Sequence, residues 1–252
     1  MSTVYAIANQ KGGVGKTTTA VNLAACIAEA EYEVLLIDMD AQANATVGLG
    51  LPKDATPNVY DVLSGTATLD NATRPTAIPH LSLVPASPDL AGANVELPRI
   101  EGSETRLRER LGPVRERFAL TLLDCPPSLG PVSVNALTAA DRVIVPVQAE
   151  YLALEGLVQF LDTLATIRRE LNPALKVSGL LVTMHDERTR LARDVERELR
   201  QHFPEMVFET VIPRSVRVAE APSYGLPVTE HAPASRGATA YLALAEELVS
   251  RG

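Results

Sequence analysis

Lys11-Gly12-Gly13-Val14-Gly15-Lys16-Thr17-Thr18 packs three glycines, two lysines and two hydroxyls into eight consecutive residues. Glycines let the backbone turn its N–H groups inward and approach an anion closely. The run lies between an apolar stretch ending at Ala8-Asn9 and the helical sequence from Thr17 to Ala25, so a helix N-terminus adds its partial positive charge. Strand, glycine-rich loop and helix in that order are the context that a phosphate-binding P-loop requires. Lys16 then reads as the ligand of the β- and γ-phosphates, and the Thr17 hydroxyl as a ligand of Mg²⁺. Thr18 is placed to touch the α-phosphate. The competing reading, a glycine-rich turn without a ligand, does not account for all eight residues. Gln10 stands where the standard motif has glycine, and Lys11 adds a second lysine at the front of the loop.

Such a loop needs carboxylates for the metal and for the attacking water. Leu120-Thr121-Leu122-Leu123-Asp124-Cys125-Pro126-Pro127 is an apolar run ending in Asp124, with prolines that stop the strand. Val34-Leu35-Leu36-Ile37-Asp38-Met39-Asp40 ends in two carboxylates. The carboxyl ends of strands in an open parallel sheet gather at the ligand crevice, so Asp38 and Asp40 both approach the γ-phosphate. Asp38 reads equally well as a structural hydrogen-bond acceptor. Asp40, further out in its loop, is expected to position the attacking water and completes the metal surroundings with Thr17 and Asp124.

The elements that must hold these residues are legible as an alternation. Val4–Ala8, Val34–Ile37, Leu81–Val84, Leu120–Leu123, Val143–Val147, Val177–Val182 and Val207–Val211 read as strands, mostly continuous apolar runs of the kind covered on both faces. Between them lie helical stretches. In Leu154–Leu171, the residues Leu154, Leu157, Phe160, Leu161, Leu164, Ile167 and Leu171 trace a core-facing stripe ending at Asn172-Pro173. Gly112-Pro113 is expected to break or kink a helix over Glu104–Arg117. Pro52–Arg99 has the weakest periodicity and reads as loops and short helices against the sheet edge. The pattern predicts an α/β fold, a doubly wound, mostly parallel sheet flanked by helices, with residues 1–252 forming one P-loop ATPase domain.

Bulk properties narrow the class. Apolar residues make up 46% and charged residues 21%, which excludes a disordered chain. No apolar run is long enough to span a bilayer, and Met1-Ser2-Thr3 leads into a strand without a basic leader, so the expected location is the cytoplasm. Two distant cysteines, Cys26 and Cys125, exclude a disulfide framework or a CxxC metal site within the chain and read as small buried hydrophobes. The net charge of −8 does not exclude nucleic acid, since a local basic surface can carry phosphate contacts.

Lys11–Thr18, Asp38-Met39-Asp40 with Gln42 and Asn44-Ala45-Thr46, and Asp124–Ser128 together resemble the ParA/MinD class of deviant Walker ATPases. The segments Pro146–Gly156, Thr183-Met184, Ile212–Arg217 and Glu220–Ser223 resemble its ParA/Soj chromosome-partition branch, and only Pro52–Arg99 matches loosely. The resemblance implies ATP and Mg²⁺ as cofactors and a nucleotide-sandwich homodimer in which Lys11 crosses to the partner's ATP. It implies further that Gly12, Gly13, Val14 and Gly15 cradle the phosphates with Lys16, Thr17 and Thr18, and that Pro213 lines the adenine pocket. Non-specific double-stranded DNA binding in the ATP state, on the nucleoid, is part of the same implication, as is a ParB/Spo0J-like partner that stimulates slow hydrolysis. Arg188 and Arg217 match DNA-contacting positions of the branch. Read alone, Arg188, Arg190, Arg193, Arg197 and Arg200, interleaved with Glu187, Asp194, Glu196 and Glu198, fit a salt-bridged exposed helix.

This chain departs from the branch at three places. Ala41 and Ala43 replace the usual proline and glycine, and Glu31-Tyr32-Glu33 replaces a glycine before the second strand. The first two changes are expected to stiffen or reshape the Asp40 loop. Three rivals compete. A MinD-like membrane-associated ATPase needs a basic amphipathic C-terminal helix, but Tyr241–Gly252 carries acids there. An iron–sulfur scaffold needs paired cysteines. A binding module using ATP as a clamp would lack turnover. A helix-turn-helix domain before the first strand is not expected, and within the class a ParA-like ATPase that positions a protein cluster is the alternative to DNA partition.

Overall fold

The structure is a computed structural model that describes residues 2–150 and 153–251. Tyr151 and Leu152, within the Pro146–Gly156 segment, lie outside the described residues. Seven strands form one sheet: β1 (Thr3–Ile7), β2 (Val34–Asp38), β3 (Arg74–Pro75), β4 (Leu81–Val84), β5 (Leu120–Asp124), β6 (Arg142–Gln148) and β7 (Lys176–Thr183). Their order is β3-β4-β2-β5-β1-β6-β7, and every neighbouring pair is parallel except β3 with β4. The main helices in chain order are α1 (Lys16–Glu29), α2 (Asn44–Gly48), α3 (Val59–Ser64), α4 (Leu69–Ala72), α5 (Leu90–Glu96) and α6 (Arg106–Leu111). They continue with α7 (Pro131–Ala139), α8 (Ala153–Glu170), α9 (Arg190–His202), α10 (Val216–Glu220), α11 (Val228–His231) and α12 (Arg236–Arg251).

Successive strand side chains point to opposite faces, and the core divides accordingly. Val4 and Ala6 of β1 join one apolar layer with α3, α7 and α8, while Tyr5 and Ile7 join another with α1 and α12. Helices on both faces leave the strands no polar side, which is why they read as continuous apolar runs. In α8, Leu157, Phe160, Leu164 and Ile167 are buried, as the stripe predicts. The Glu104–Arg117 stretch breaks where expected: α6 ends at Leu111, and a separate short turn of helix covers Arg115–Arg117 after Gly112-Pro113.

Two edge features differ from the sequence reading. Val207–Val211 is not a strand. It meets β7 through a bridge between Leu180 and Val207, with the Phe208 N–H donating to the Leu180 carbonyl at 3.0 Å. The next two donors turn away: the Glu209 and Thr210 N–H groups both donate to the Glu247 carboxylate of α12, at 2.8 Å each. A side chain from a distant helix thus takes the hydrogen bonds that a ladder would need. The seventh strand is instead β3, two residues long and antiparallel, whose Pro75 is tolerated because β3 is at the sheet edge.

Candidate active site

The register of the central strands brings the chemistry to one edge. Asp124, the last residue of β5, is level with Ile7 at the end of β1 and with Asp38 at the end of β2. The glycine-rich loop leaves β1 between these carboxylates and β6. Its two left-handed residues are Gly13 (φ +73°) and Gly15 (φ +86°), conformations that a side chain would strain. The loop is tied down at both ends. The Asn9 amide donates to the Pro146 carbonyl at 2.7 Å, and the Lys11 N–H donates to Asn9 Oδ1 at 3.0 Å. The Thr183 hydroxyl at the end of β7 donates to the Val14 carbonyl at 2.8 Å.

Lys16 opens α1 and is 7% exposed, with Nζ donating to the Lys11 carbonyl at 3.0 Å. Burial lowers its pKa, opposed by the charges of Asp124 and Asp40. Asp124 is fully buried, and neither of its carboxylate oxygens has a hydrogen-bond partner among the described residues. Burial, then the neighbouring Asp38 charge, raises its carboxyl well above the usual range, partly offset by Thr17 and Lys16. An unpartnered buried carboxylate is costly, and a divalent cation is the kind of group that would satisfy it. Thr17 and Asp124 therefore fit Mg²⁺, a hard cation that prefers oxygen ligands.

The two aspartates at the end of β2 and just beyond it are bonded differently. Asp38 Oδ2 accepts from the Thr46 N–H at 2.8 Å and the Thr46 hydroxyl at 2.7 Å, and Oδ1 accepts from the Asp40 N–H at 3.1 Å. Of its two sequence readings, these bonds favour the structural acceptor. Asp38 anchors α2 and aims the next loop, despite burial that raises its own pKa. Asp40 is half-buried, with Oδ1 accepting from the Gln42 N–H at 2.9 Å. Ala43 closes this loop at φ +53°, and Glu31 after α1 stands at φ +64°. Ala43, and Glu31 of the Glu31-Tyr32-Glu33 run, thus fall on left-handed backbone, so each turn is kept and carries strain.

A cavity of about 440 Å³ runs from Gly15 and Thr18 to Ile212 and Pro213, between the loop and the wall formed by Met184 and Val216. It suits a flat apolar base attached to phosphates in the loop. Pro213 is one of its lining residues.

A family model described as an AAA domain matches residues 2–177. A chromosome-partitioning ATPase Soj of Thermus thermophilus is 55% identical over 98% of this chain and 95% of its own length. The sporulation initiation inhibitor protein Soj of Bacillus subtilis is 47% identical over the whole of both chains. The chain belongs to the ParA/Soj family of partitioning ATPases. Among solved structures, a Mycobacterium smegmatis protein described as cobyrinic acid a,c-diamide synthase, with bound ADP and magnesium, matches this ParA/Soj chain with a TM-score of 0.87. The two are 39% identical, over 99% of this chain and 94% of that one.

The remaining predicted residues are the loop's first lysine and two arginines away from it. In this ParA/Soj chain Lys11 is 39% exposed and Nζ stands 3.3 Å from Glu150 of its own subunit. Arg188 grips Asp186 through Nε and Nη2 at 2.9 and 2.7 Å, and Arg217 pairs with Glu220 at 2.5 Å. The α9 arginines behave as a salt-bridged face: Arg190 and Arg197 meet Asp194, and Arg200 meets Glu196. Cys26 and Cys125 are buried free thiols. Asn9, Thr46, Thr183 and Glu150 were given no roles from sequence. Thr46, Glu150 and Thr183 all sit in the family-like segments and carry that signal, but the contact of Glu150 with Lys11 spans 139 residues and leaves no trace in the sequence.

Proposed function

We propose that this chain is a Mg²⁺-ATP-dependent partition ATPase of the ParA/Soj kind, and that its nucleotide cycle moves or segregates chromosomal or plasmid origins. One observation carries the chemical half: the buried, unpartnered Asp124 beside Lys16 and Thr17, at the mouth of a glycine-rich loop. Bound Mg²⁺ would neutralise charge building on the phosphates. Gly12, Gly13, Val14 and Gly15 offer backbone N–H groups, and Lys16 and Thr18 add side-chain contacts. Asp40 holds and orients the attacking water from a loop aimed by Asp38. Lys11 leaves Glu150 and reaches the partner's nucleotide in an ATP-dependent homodimer. The dimer binds duplex DNA without sequence preference through a surface that includes Arg188 and Arg217, and a ParB/Spo0J-like partner speeds hydrolysis and release.

A membrane-surface role is disfavoured by α12. Its apolar residues Tyr241, Leu244 and Leu248 are buried against the fold, with the Tyr241 hydroxyl 3.4 Å from Thr19. No helix of the described residues is long and apolar enough to cross a membrane.

The nucleotide half is tested with two variants. Lys16→Ala is expected to weaken a fluorescent ATP analogue at least about tenfold, the loss of one charge-assisted contact. Asp40→Ala is expected to bind the analogue normally yet hydrolyse ATP about 10²-fold more slowly, since water positioning serves only the chemical step. Normal analogue affinity in the first variant, or normal turnover in the second, would overturn the corresponding role. The DNA half is tested by binding of the wild type to two unrelated duplexes, with and without a non-hydrolysable ATP analogue.

A further inference from the structure

Beside the nucleotide cavity lies a second depression of about 380 Å³, lined by His185, Asp186, Glu187, Arg188, Arg214 and Arg236 among others. Pro213, Arg214 and Val216 line both hollows, so the wall of one is the rim of the other. The backbone here is fixed. Pro213 bridges to His185 in parallel register, and the Arg214 N–H donates to the His185 carbonyl at 2.9 Å.

The arginines of this region are not equivalent. Arg188 is forked onto Asp186. Arg236 meets Glu187 at 3.1 Å. Arg217, on the adjoining α10, meets Glu220, whose Oε1 also lies 3.1 Å from His231 Nε2. Arg214 is exposed, and among the described residues no carboxylate lies within ion-pair distance of it. Three cations are thus paired in contact with a carboxylate, whereas Arg214 feels Asp186 only at longer range. This matters because salt-dependent DNA affinity comes from counterions that a cation displaces from phosphates. An arginine leaving its own carboxylate for a phosphate leaves that carboxylate facing the DNA, so its net gain is small. An arginine without such a clamp gives up less and contributes more.

Resting on the DNA-binding reading above, we propose that Arg214 is the leading phosphate contact of this surface, and that Asp186 competes with DNA for Arg188. The sequence motifs single out Arg188 and Arg217; the side-chain pairing shifts the weight to Arg214. The clamp on Arg188 is a bidentate fork onto a carboxylate only 21% exposed, so it competes with a phosphate, while the 88% exposed guanidinium leaves it open to exchange.

The experiment is a salt series on two duplexes of unrelated sequence, with a non-hydrolysable ATP analogue and folding checked by thermal melting. Arg214→Ala is expected to flatten the plot of log affinity against log salt by about two, roughly 0.9 for each of two subunits. Arg188→Ala should flatten it by about half as much or less. Arg214→Lys, which keeps the charge, should keep the slope. Asp186→Asn is expected to tighten DNA by about three- to tenfold at fixed salt. An unchanged slope in Arg214→Ala, or no gain in Asp186→Asn, overturns the inference while leaving DNA binding in place. A parallel loss of analogue affinity in Arg214→Ala overturns it too, since the arginine would then serve the nucleotide. Wild-type protein that ignores both duplexes at low salt overturns the DNA reading itself and this inference with it.

Discussion

Glu31 and Ala43 hold backbone that L side chains avoid, at φ +64° and φ +53°. Each such residue costs roughly 1–2 kcal/mol, of which a glycine would return part, because its own unfolded chain is freer by about 0.5–1 kcal/mol. Glu31 is exposed and follows the last turn of α1, the place where a left-handed glycine commonly ends a helix. Glu31→Gly should therefore stabilise the protein by about 0.5–1 kcal/mol in urea melts, whereas a lower midpoint would mean that the side chain contributes a contact outweighing the strain. Ala43→Gly should gain less, because the Ala43 methyl is fully buried and would be lost. These positions were visible in the sequence as departures from a pattern, but their cost was not, since only the backbone angle turns an unusual residue into a strained one. Asp38 and Asp40 show the same limit. Both were legible as carboxylates at a strand end, and it took the Thr46 bonds to give the first a structural task.

At the scale of elements, the central strands were legible because burial on both faces writes apolar runs into β1, β2, β5, β6 and β7. The segment from Val207 to Val211 carries the same signature and fails as a strand for a reason that lies 38 residues beyond Glu209. Glu247 is held by the Glu209 and Thr210 N–H groups and by Arg251 at 2.6 Å. Burial raises the Glu247 carboxyl, but the Thr210 and Glu209 bonds and Arg251 outweigh it, leaving the pKa below its ordinary value. A carboxyl depressed by folding contributes stability that is present above its unfolded pKa and is lost as the pH falls through the folded one. Glu247→Gln should thus cost about 1–2 kcal/mol near neutral pH, as charged hydrogen bonds are replaced by neutral ones. The gap between variant and wild type should close in acid, below the ordinary carboxylate range. A gap that persisted unchanged in acid would assign the loss to packing.

For the whole molecule, the proposed dimer would bring two copies, each carrying a net charge of −8, together around two polyphosphates, so its assembly would need cations placed at the contact. Lys11 is the one this reading depends on. In the single chain it rests on Glu150 at 3.3 Å, with both side chains more than a third exposed. An exposed pair of this kind is worth about 0.2–1 kcal/mol, so it holds the lysine in place without preventing its transfer to a more negative partner. In the proposed dimer the nucleotide's own subunit would already supply Lys16, buried and fixed in the loop, and Lys11 would then be dispensable for binding ATP in the monomer. Lys11→Ala should therefore bind a fluorescent ATP analogue within about twofold of wild type, yet remain monomeric by light scattering at analogue concentrations that dimerise the wild type. Its ATP hydrolysis should fall about 10³-fold or more, the scale of a lost trans-acting cation. If instead the variant forms a normal ATP-dependent dimer, Lys11 belongs only to its own loop and the Glu150 contact is its resting place in every state.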